Sequence, residues 1–537
     1  MGSKAHLNQV IASHLAEIKA DEVPDREVYI FEKAELGEDI LTYKHLYENS
    51  NKIARLFVDN GIGSGDTYAV FMRNHPEFVY SLLAGPTVGA IMVPIDPRTR
   101  GDRLKFMLRD CGAKAAIVSG ECVEQLDEVV NDLPGLKLIS VAYRPEQNIP
   151  VSDRYHALNE TLEKTSWAVV DQKIMDVRHP MQIIYTSGTT GDPKGVTIRN
   201  NRTGLFNILT KIVWKYTEYD ILYNGLSLSH GNAQTVTLFP AFSMGIKAVF
   251  SPRFTKSRIW DICRKYGCTT FSLLGGMMAG IYNEPERPDD SDNPVRMVIS
   301  AGTPLPLWEP FEKRYNVKIL EWYGSVEGGF AYKPLDGGPI GSFGKPVPGV
   351  MEMKVVDEND SEVSPGTTGE LICRLLRGDT KVDYLGKPEE SKEKTRGGWL
   401  RTGDMVHKDK NGWYFFDYRK GTELRRAGDF VQPEYVETVI GKHPDVSEVC
   451  VYGIKAASGA PGESDIVAAL EPFQGKTIDP ASVYALCKKD LEANYIPSYL
   501  HIVDVLPKTL TEKPLARQLR EMFERGEGKI FKYEDFK

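Results

Sequence analysis

The chain has 537 residues, with 66 Lys+Arg against 74 Asp+Glu, a formal charge of −8, and 41% hydrophobic and 26% charged residues. One core rarely grows past roughly 250–300 residues, so a multidomain globular protein is expected and a fibrous or disordered one is excluded. The mild acidity argues against nucleic acid as a partner, because duplex binding leans on clustered Lys and Arg, but it is compatible with a local basic site for a phosphorylated ligand.

Seven cysteines, Cys111, Cys122, Cys263, Cys268, Cys373, Cys450 and Cys487, occur without a C-x-x-C pair. This pattern disfavours a disulfide framework or a zinc site and fits a reducing, cytoplasmic compartment. The N-terminus shows no apolar signal segment, and His6 stands where a myristoylation motif after Gly2 would want Ser or Thr. The most apolar stretch, 81–95, is broken by Gly85, Pro86, Gly89 and Pro94. It is too short to span a bilayer and reads as buried helix and strand.

In chain order, Leu41-Thr42-Tyr43 leads into a helical pattern with Leu46, Ile53, Ala54, Leu56 and Phe57 on one face. After the break at Gly61-Ile62-Gly63-Ser64-Gly65-Asp66, residues 67–72 read as a buried strand. A helix near 77–91, a strand over 90–95, a helix near 102–110 and a strand over 115–118 follow. Such alternation predicts an α/β fold with parallel-rich sheets covered by helices. Residues 340–419 are rich in Gly, Pro and short alternating runs, predicting a small antiparallel, β-barrel-like subdomain. Beyond Lys420 the helix–strand pattern returns, with helices near 433–441 and 480–494 and a strand over 446–451. The expected division is 1–419 and a smaller α+β unit over 420–537.

The strongest local signal is Ile183-Ile184-Tyr185-Thr186-Ser187-Gly188-Thr189-Thr190-Gly191-Asp192-Pro193-Lys194-Gly195. An apolar strand ends in small residues whose backbone N–H groups can approach a polyphosphate, hydroxyls add donors, and Lys194 adds a mobile charge. The spacing differs from G-x-x-x-x-G-K-[ST].

With this loop the chain resembles the acyl-adenylate-forming superfamily: acyl-CoA synthetases, aryl-CoA ligases, beetle luciferases and the adenylation domains of nonribosomal peptide synthetases. The likeness runs from Leu41 to Lys513, rests on several motifs in the family's order, and comes nearest to carnitine/crotonobetaine-type, medium-chain and aryl acid ligases. What it implies is as follows. Thr186, Ser187, Gly188, Thr189, Thr190, Gly191 and Lys194 hold the ATP phosphates. The segment with Ala301, Gly302 and Thr303 packs against adenine. In Glu321-Trp322-Tyr323-Gly324-Ser325-Val326-Glu327, Trp322, Tyr323, Gly324 and Val326 line the nucleotide and Tyr323 stacks on adenine. Glu327, with Thr186, serves Mg²⁺, an ion content with few protein carboxylates. Asp404 accepts the ribose hydroxyls and Arg419 supplies a fork of donors.

The C-terminal unit would be mobile, turning at Lys420 and Gly421. In Pro507-Lys508-Thr509-Leu510-Thr511-Glu512-Lys513, Lys513 matches the catalytic lysine that binds the carboxylate and α-phosphate together. Arg425, Arg426 and Gly428 would face CoA once that unit rotates. His230, Asn232 and Gln234 would form the acyl pocket with Gly276 and Gly328, His230 at the gate. Gly275, Met277, Met278 and Gly329 would leave the pocket roomy. Val326, Tyr418, Gly421 and Glu512 depart from the family pattern.

The expected function is an ATP- and Mg²⁺-dependent carboxylic acid:CoA ligase that forms acyl-AMP and then acyl-CoA. The roomy, polar-lined pocket favours a medium-sized acid bearing a ring or a polar group. Rivals are an adenylation enzyme loading a carrier protein or an amino acid, a luciferase-like oxygenase, and a nucleotide-binding homologue without catalysis. An aspartate that would hold an amino group is absent between 222 and 250. No nucleic-acid partner is expected, and the sequence leaves a homo-oligomer open.

Overall fold

The computed structural model describes residues 7–33, 36–144, 155–164, 167–186, 193–420, 424–426, 429–431, 433–456, 464–491, 495–509 and 514–536. Two large sheets dominate the first 420 residues. The seven-stranded sheet runs His156–Ala157, Leu138–Ala142, Ala115–Ser119, Thr67–Phe71, Ile91–Ile95, Pro180–Thr186, Lys194–Arg199. It is parallel except for its last pair, the hairpin that carries the small-residue loop. Alternate residues of Thr67–Phe71 enter different cores: Tyr68 and Val70 face the main core, Ala69 and Phe71 a second one against Leu104, Met107 and Leu108 of the helix Gly101–Asp110. A parallel strand buried on both faces reads as a continuous apolar run, as this one does.

The helix Pro76–Val88 is buried along its whole length, which explains why it is apolar all round. It ends at Gly89 in the left-handed conformation (φ 83°). It packs with Ala12–Glu22 and Tyr43–Asp59 in a core that also includes residues from both sheets. Thr42 caps Tyr43–Asp59 in a reciprocal box with His45.

The second sheet has thirteen strands, with Glu38–Thr42 at one edge antiparallel to Glu27–Glu32. Its parallel part is ordered Glu27–Glu32, Lys247–Phe250, Ile221–Asn224, Thr270–Leu274, Met297–Ala301, Lys318–Gly324. From Lys318–Gly324 the ladder turns antiparallel through Phe330–Lys333 and Ser342–Pro346 to Tyr414–Arg419, Leu400–Lys408, Gly369–Leu375 and Met351–Val356. The antiparallel subdomain is thus hydrogen-bonded to the parallel sheet as its extension.

Beyond it, Val446–Lys455, Ser464–Pro472, Tyr499–Ile502 and Lys529–Lys532 make a four-stranded sheet with a core on each face. The helices Pro433–Ile440 and Pro480–Asp490 cover one face and Ala516–Glu524 the other. Asn283 Nδ2 donates to Ser447 O at 3.0 Å, joining this sheet to the larger part of the chain. All seven cysteines are buried. Among the described residues no helix is long and apolar enough to cross a membrane.

Candidate active site

The small-residue loop links the hairpin Pro180–Thr186 and Lys194–Arg199, in which Thr186 pairs with Lys194 and Tyr185 with Gly195. Ser187, Gly188, Thr189, Thr190 and Gly191 lie outside the described residues. Gly195 is required by packing: a Cβ there would stand 2.7 Å from Ile183 Cγ2. Lys194 is ion-paired with Glu390 and lies 5.4 Å from the ring centre of Tyr384. Thr186 Oγ1 donates to Lys194 O at 3.4 Å.

Met297–Ala301 and Lys318–Gly324 are adjacent parallel strands, so their C-terminal ends emerge side by side. Crevices at the carboxyl ends of such strands are where α/β folds place ligands. Gly302 leaves its strand at φ 79°. Its N–H donates to Glu321 Oε1 at 2.6 Å, while Thr303 Oγ1 donates to Glu321 Oε2 at 2.5 Å. Burial pushes the Glu321 carboxyl up to about 7, against the pull of these donors and of Lys333. Gly275, opening the helix Gly275–Tyr282, lies so close to the Gly302 carbonyl that any Cβ would collide with it.

Tyr323 directs its hydroxyl to Asp404 Oδ2 at 2.5 Å, and its ring lies 4.8 Å from Phe343. Asp404 Oδ1 accepts from Arg419 at 3.1 Å; these two residues are cross-strand partners. Three motifs from distant parts of the chain therefore converge. Glu327 Oε1 accepts from the Tyr384 hydroxyl at 3.2 Å. Lys394, at the end of the helix Pro388–Lys394, is lowered in pKa by burial and attracted by Glu327 and Asp404. Tyr384, Lys394 and Glu321 carry no assigned role in the sequence reading. Only Glu321 had a signal, since it opens the Tyr323 motif.

Beside these strand ends lies a cavity of about 170 Å³. The segment 230–234 contributes His230, Asn232 and Gln234, and the motifs following Met297 and Lys318 contribute Ala301, Trp322, Gly324 and Val326. Arg202, Phe206 and Phe330 complete much of the wall and are absent from the sequence reading. Burial pushes the His230 imidazole down to about 4, so it is neutral at physiological pH. Its Nδ1 accepts from the Asn232 N–H at 3.2 Å. Gln234 Nε2 is tied to Leu228 O at 2.9 Å, whereas neither amide atom of Asn232 has a hydrogen-bond partner among the described residues.

Residues Ala233–Leu238 form a π-helical segment, a form that often marks functional sites. Asn74 fixes the segment leading to His230: its Nδ2 donates to Leu226 O and Ser251 O, each at 2.8 Å, and its Oδ1 accepts from Leu228 N at 2.7 Å. Nothing in its local sequence signals this.

Other expected pocket residues fall elsewhere. Met277 and Met278 belong to the main core, and neither they nor Gly275, Gly328 and Gly329 line the cavity. Gly276 sits within the helix Gly275–Tyr282. Lys420 is largely exposed, its N–H donating to Gly403 O at 2.8 Å. Arg425 lies on the strand Leu424–Arg426, and Arg426 donates to Ile496 O within the C-terminal unit. Gly421, Gly428, Glu512 and Lys513 lie outside the described residues.

The order of the motifs and the fold around them define an adenylate-forming enzyme. The chain belongs to the AMP-binding enzyme family, whose profile matches residues 16–376; the profile of the AMP-binding enzyme C-terminal domain matches residues 435–513. It is 26% identical over 505 residues to a crotonobetaine/carnitine–CoA ligase of Salmonella typhimurium, covering 92% of this chain and 96% of that one. Among solved structures it is similar to an anthranilate CoA ligase in complex with anthranoyl-AMP (TM-score 0.82, 22% identity, 96% of this chain and 98% of that one). It is also similar to the O-succinylbenzoate coenzyme A synthetase of Bacillus subtilis in complex with ATP and magnesium ion (TM-score 0.76, 21% identity, 94% and 99%).

Proposed function

We propose that the chain is an ATP- and Mg²⁺-dependent carboxylic acid:CoA ligase. The observation that carries this is the shared cavity: one wall is built from the gate segment, the other from the strand ends that bear the nucleotide motifs. An acid held there would present its carboxylate beside bound ATP. Family membership and the curated CoA ligase relative support the same reading.

A carboxylate is a poor electrophile because it is anionic and oxide is a poor leaving group. Adenylation removes both obstacles. The carboxylate attacks the α-phosphorus, pyrophosphate leaves, and acyl-AMP forms; the CoA thiol then attacks the acyl carbon and AMP leaves. Positioning and charge stabilisation do most of this work. Thr186, Ser187, Gly188, Thr189, Thr190, Gly191 and Lys194 hold the phosphates, with Lys194 exchanging Glu390 for a phosphate oxygen. Ala301, Gly302, Thr303, Tyr323, Gly324 and Val326 line the nucleotide, Trp322 lines the cavity beside it, and Asp404 with Arg419 binds the ribose.

Glu327 would hold Mg²⁺ with Thr186, and the donors fit. Mg²⁺ needs few protein carboxylates and completes its shell with phosphate oxygens and water. Among the described residues no cluster of three or more His, Cys, Asp or Glu competes for it. When bound, the ion neutralises phosphate charge.

The division falls at 419/420, with Lys420 and Gly421 as the hinge. Lys513 enters the site for adenylation, and rotation then brings Arg425, Arg426 and Gly428 to the pantetheine arm. The test is product analysis with ATP, CoA and a panel of acids. AMP, pyrophosphate and an acyl-CoA are expected; ADP and phosphate, or AMP without a thioester, would overturn the reading.

A further inference from the structure

We propose that the acid activated in this cavity carries a second carboxylate, received by Arg202 with Asn232 and Trp322 as neutral donors. This rests on the ligase reading above and names its substrate class as compact dicarboxylic acids.

Arg202 lies in the first turn of the helix Asn201–Leu209 and lines the cavity, its guanidinium 6.0 Å from the Phe206 ring and 5.4 Å from the Phe330 ring. One terminal nitrogen donates to Val326 O at 3.0 Å and to Ser325 O at 3.4 Å. The Nε–H is buried and has no acceptor among the described residues. Burial lowers the pKa only to about 10, so the group is a cation at neutral pH.

A buried cation is costly unless it is paired. Glu327 is a carboxylate whose charge reaches Arg202. Glu327 also accepts from Tyr384 and attracts Lys394, and it is the proposed metal ligand, so its charge is divided among several partners.

Two more groups on the cavity wall are unsatisfied. Asn232, 5% exposed, has neither amide atom bonded, and the indole N–H of Trp322, 6% exposed, has no acceptor among the described residues. Met181, Ile184, Phe206, Leu274 and Phe330 give the same cavity apolar lining. His230, being neutral, brings no competing charge. A plain alkyl or aryl acid would leave a guanidinium N–H, an indole N–H and an amide buried against hydrocarbon. A carboxylate is an acceptor-only group that can take the Nε–H of Arg202 and still has lone pairs for the neutral donors. Its charge also cancels that of Arg202. A cavity of about 170 Å³ confines the partner to a short chain or a single ring.

The test uses the full-length protein and acid-dependent pyrophosphate release over matched pairs: pentanoate against glutarate, hexanoate against adipate, benzoate against isophthalate. Losing a hydrogen bond to a charged partner typically corresponds to about 10- to 100-fold. The wild type should favour a diacid over its partner in kcat/KM by that factor in at least one pair. Arg202→Met should erase the preference by raising the diacid KM while leaving the monoacid within a few-fold, and Arg202→Lys should fall between. A wild type that prefers the monoacid in every pair, or an Arg202→Met that slows both acids equally, would overturn the proposal and leave the ligase reading intact. Pyrophosphate release with no acid at all would overturn that reading and the proposal with it. Should Arg202→Met fail to fold, the wild-type ratios decide.

Discussion

The phenolic hydroxyl of Tyr323 donates to Asp404 across 81 residues of sequence at 2.5 Å, and Asp404 in turn accepts from Arg419 at 3.1 Å. The carboxylate proposed to hold the ribose is thereby oriented before any nucleotide arrives, from two sides and by two different strands. Tyr323→Phe keeps the ring and removes the hydroxyl. A hydrogen bond to a charged group contributes about 1.5–3 kcal/mol. The KM for ATP should rise about tenfold with a smaller change in kcat. Steady-state kinetics with ATP as the varied substrate checks this.

Asn74 concerns the acid instead. Asn74→Ala would strand the carbonyl of Ser251 and the N–H of Leu228, while the Leu226 carbonyl would keep only its bond from Asn224 Nδ2. Each buried unpaired group costs about 1–3 kcal/mol, so a loss of about 3 kcal/mol in stability is expected, measured by chemical denaturation. With the segment leading to His230 loosened, the KM for the acid should rise more than that for ATP.

Glu321 predicts a pH dependence. Burial raises its carboxyl from 4.5 to about 7, so the folded protein keeps this proton to a higher pH than the unfolded chain does. Between those values the native state binds more protons, and stability falls as pH rises. Wild type should therefore lose stability relative to Glu321→Gln between about pH 5 and pH 7, and the difference should level off above that. Denaturation of both proteins across this range checks the sign.

Glu327→Gln preserves size and the acceptor for Tyr384 but removes the charge that favours a divalent cation. The Mg²⁺ concentration giving half-maximal pyrophosphate release should rise several-fold. A titration curve identical to wild type would place the metal on another group.

The strand alternation was legible in the local pattern, and so were the motifs of Ala301, Tyr323 and Arg419, which sit at or beside strand ends, and that of Asp404 within its strand. The continuity of the thirteen-stranded sheet was not: it depends on Phe330–Lys333 and Ser342–Pro346 bridging two regions that look separate in composition. Asn74 was invisible because its three bonds reach 152 to 177 residues along the chain. Lys394 sits in a Glu/Lys-rich helix that reads as a solvated face, and Arg202 reads as a surface charge at a helix start. Met277 and Met278 misled in the other direction. Their adaptable side chains suggested a pocket wall, but the helix turns them into the core.

Formation of an acyl-adenylate before any thiol is involved is tested most directly by isotope exchange. Labelled pyrophosphate is incubated with the protein, ATP, Mg²⁺ and an accepted acid, in the absence of CoA. Label should enter ATP at a rate that depends on the acid and does not require CoA. Exchange that appears only when CoA is added, or that proceeds equally without the acid, would contradict the account.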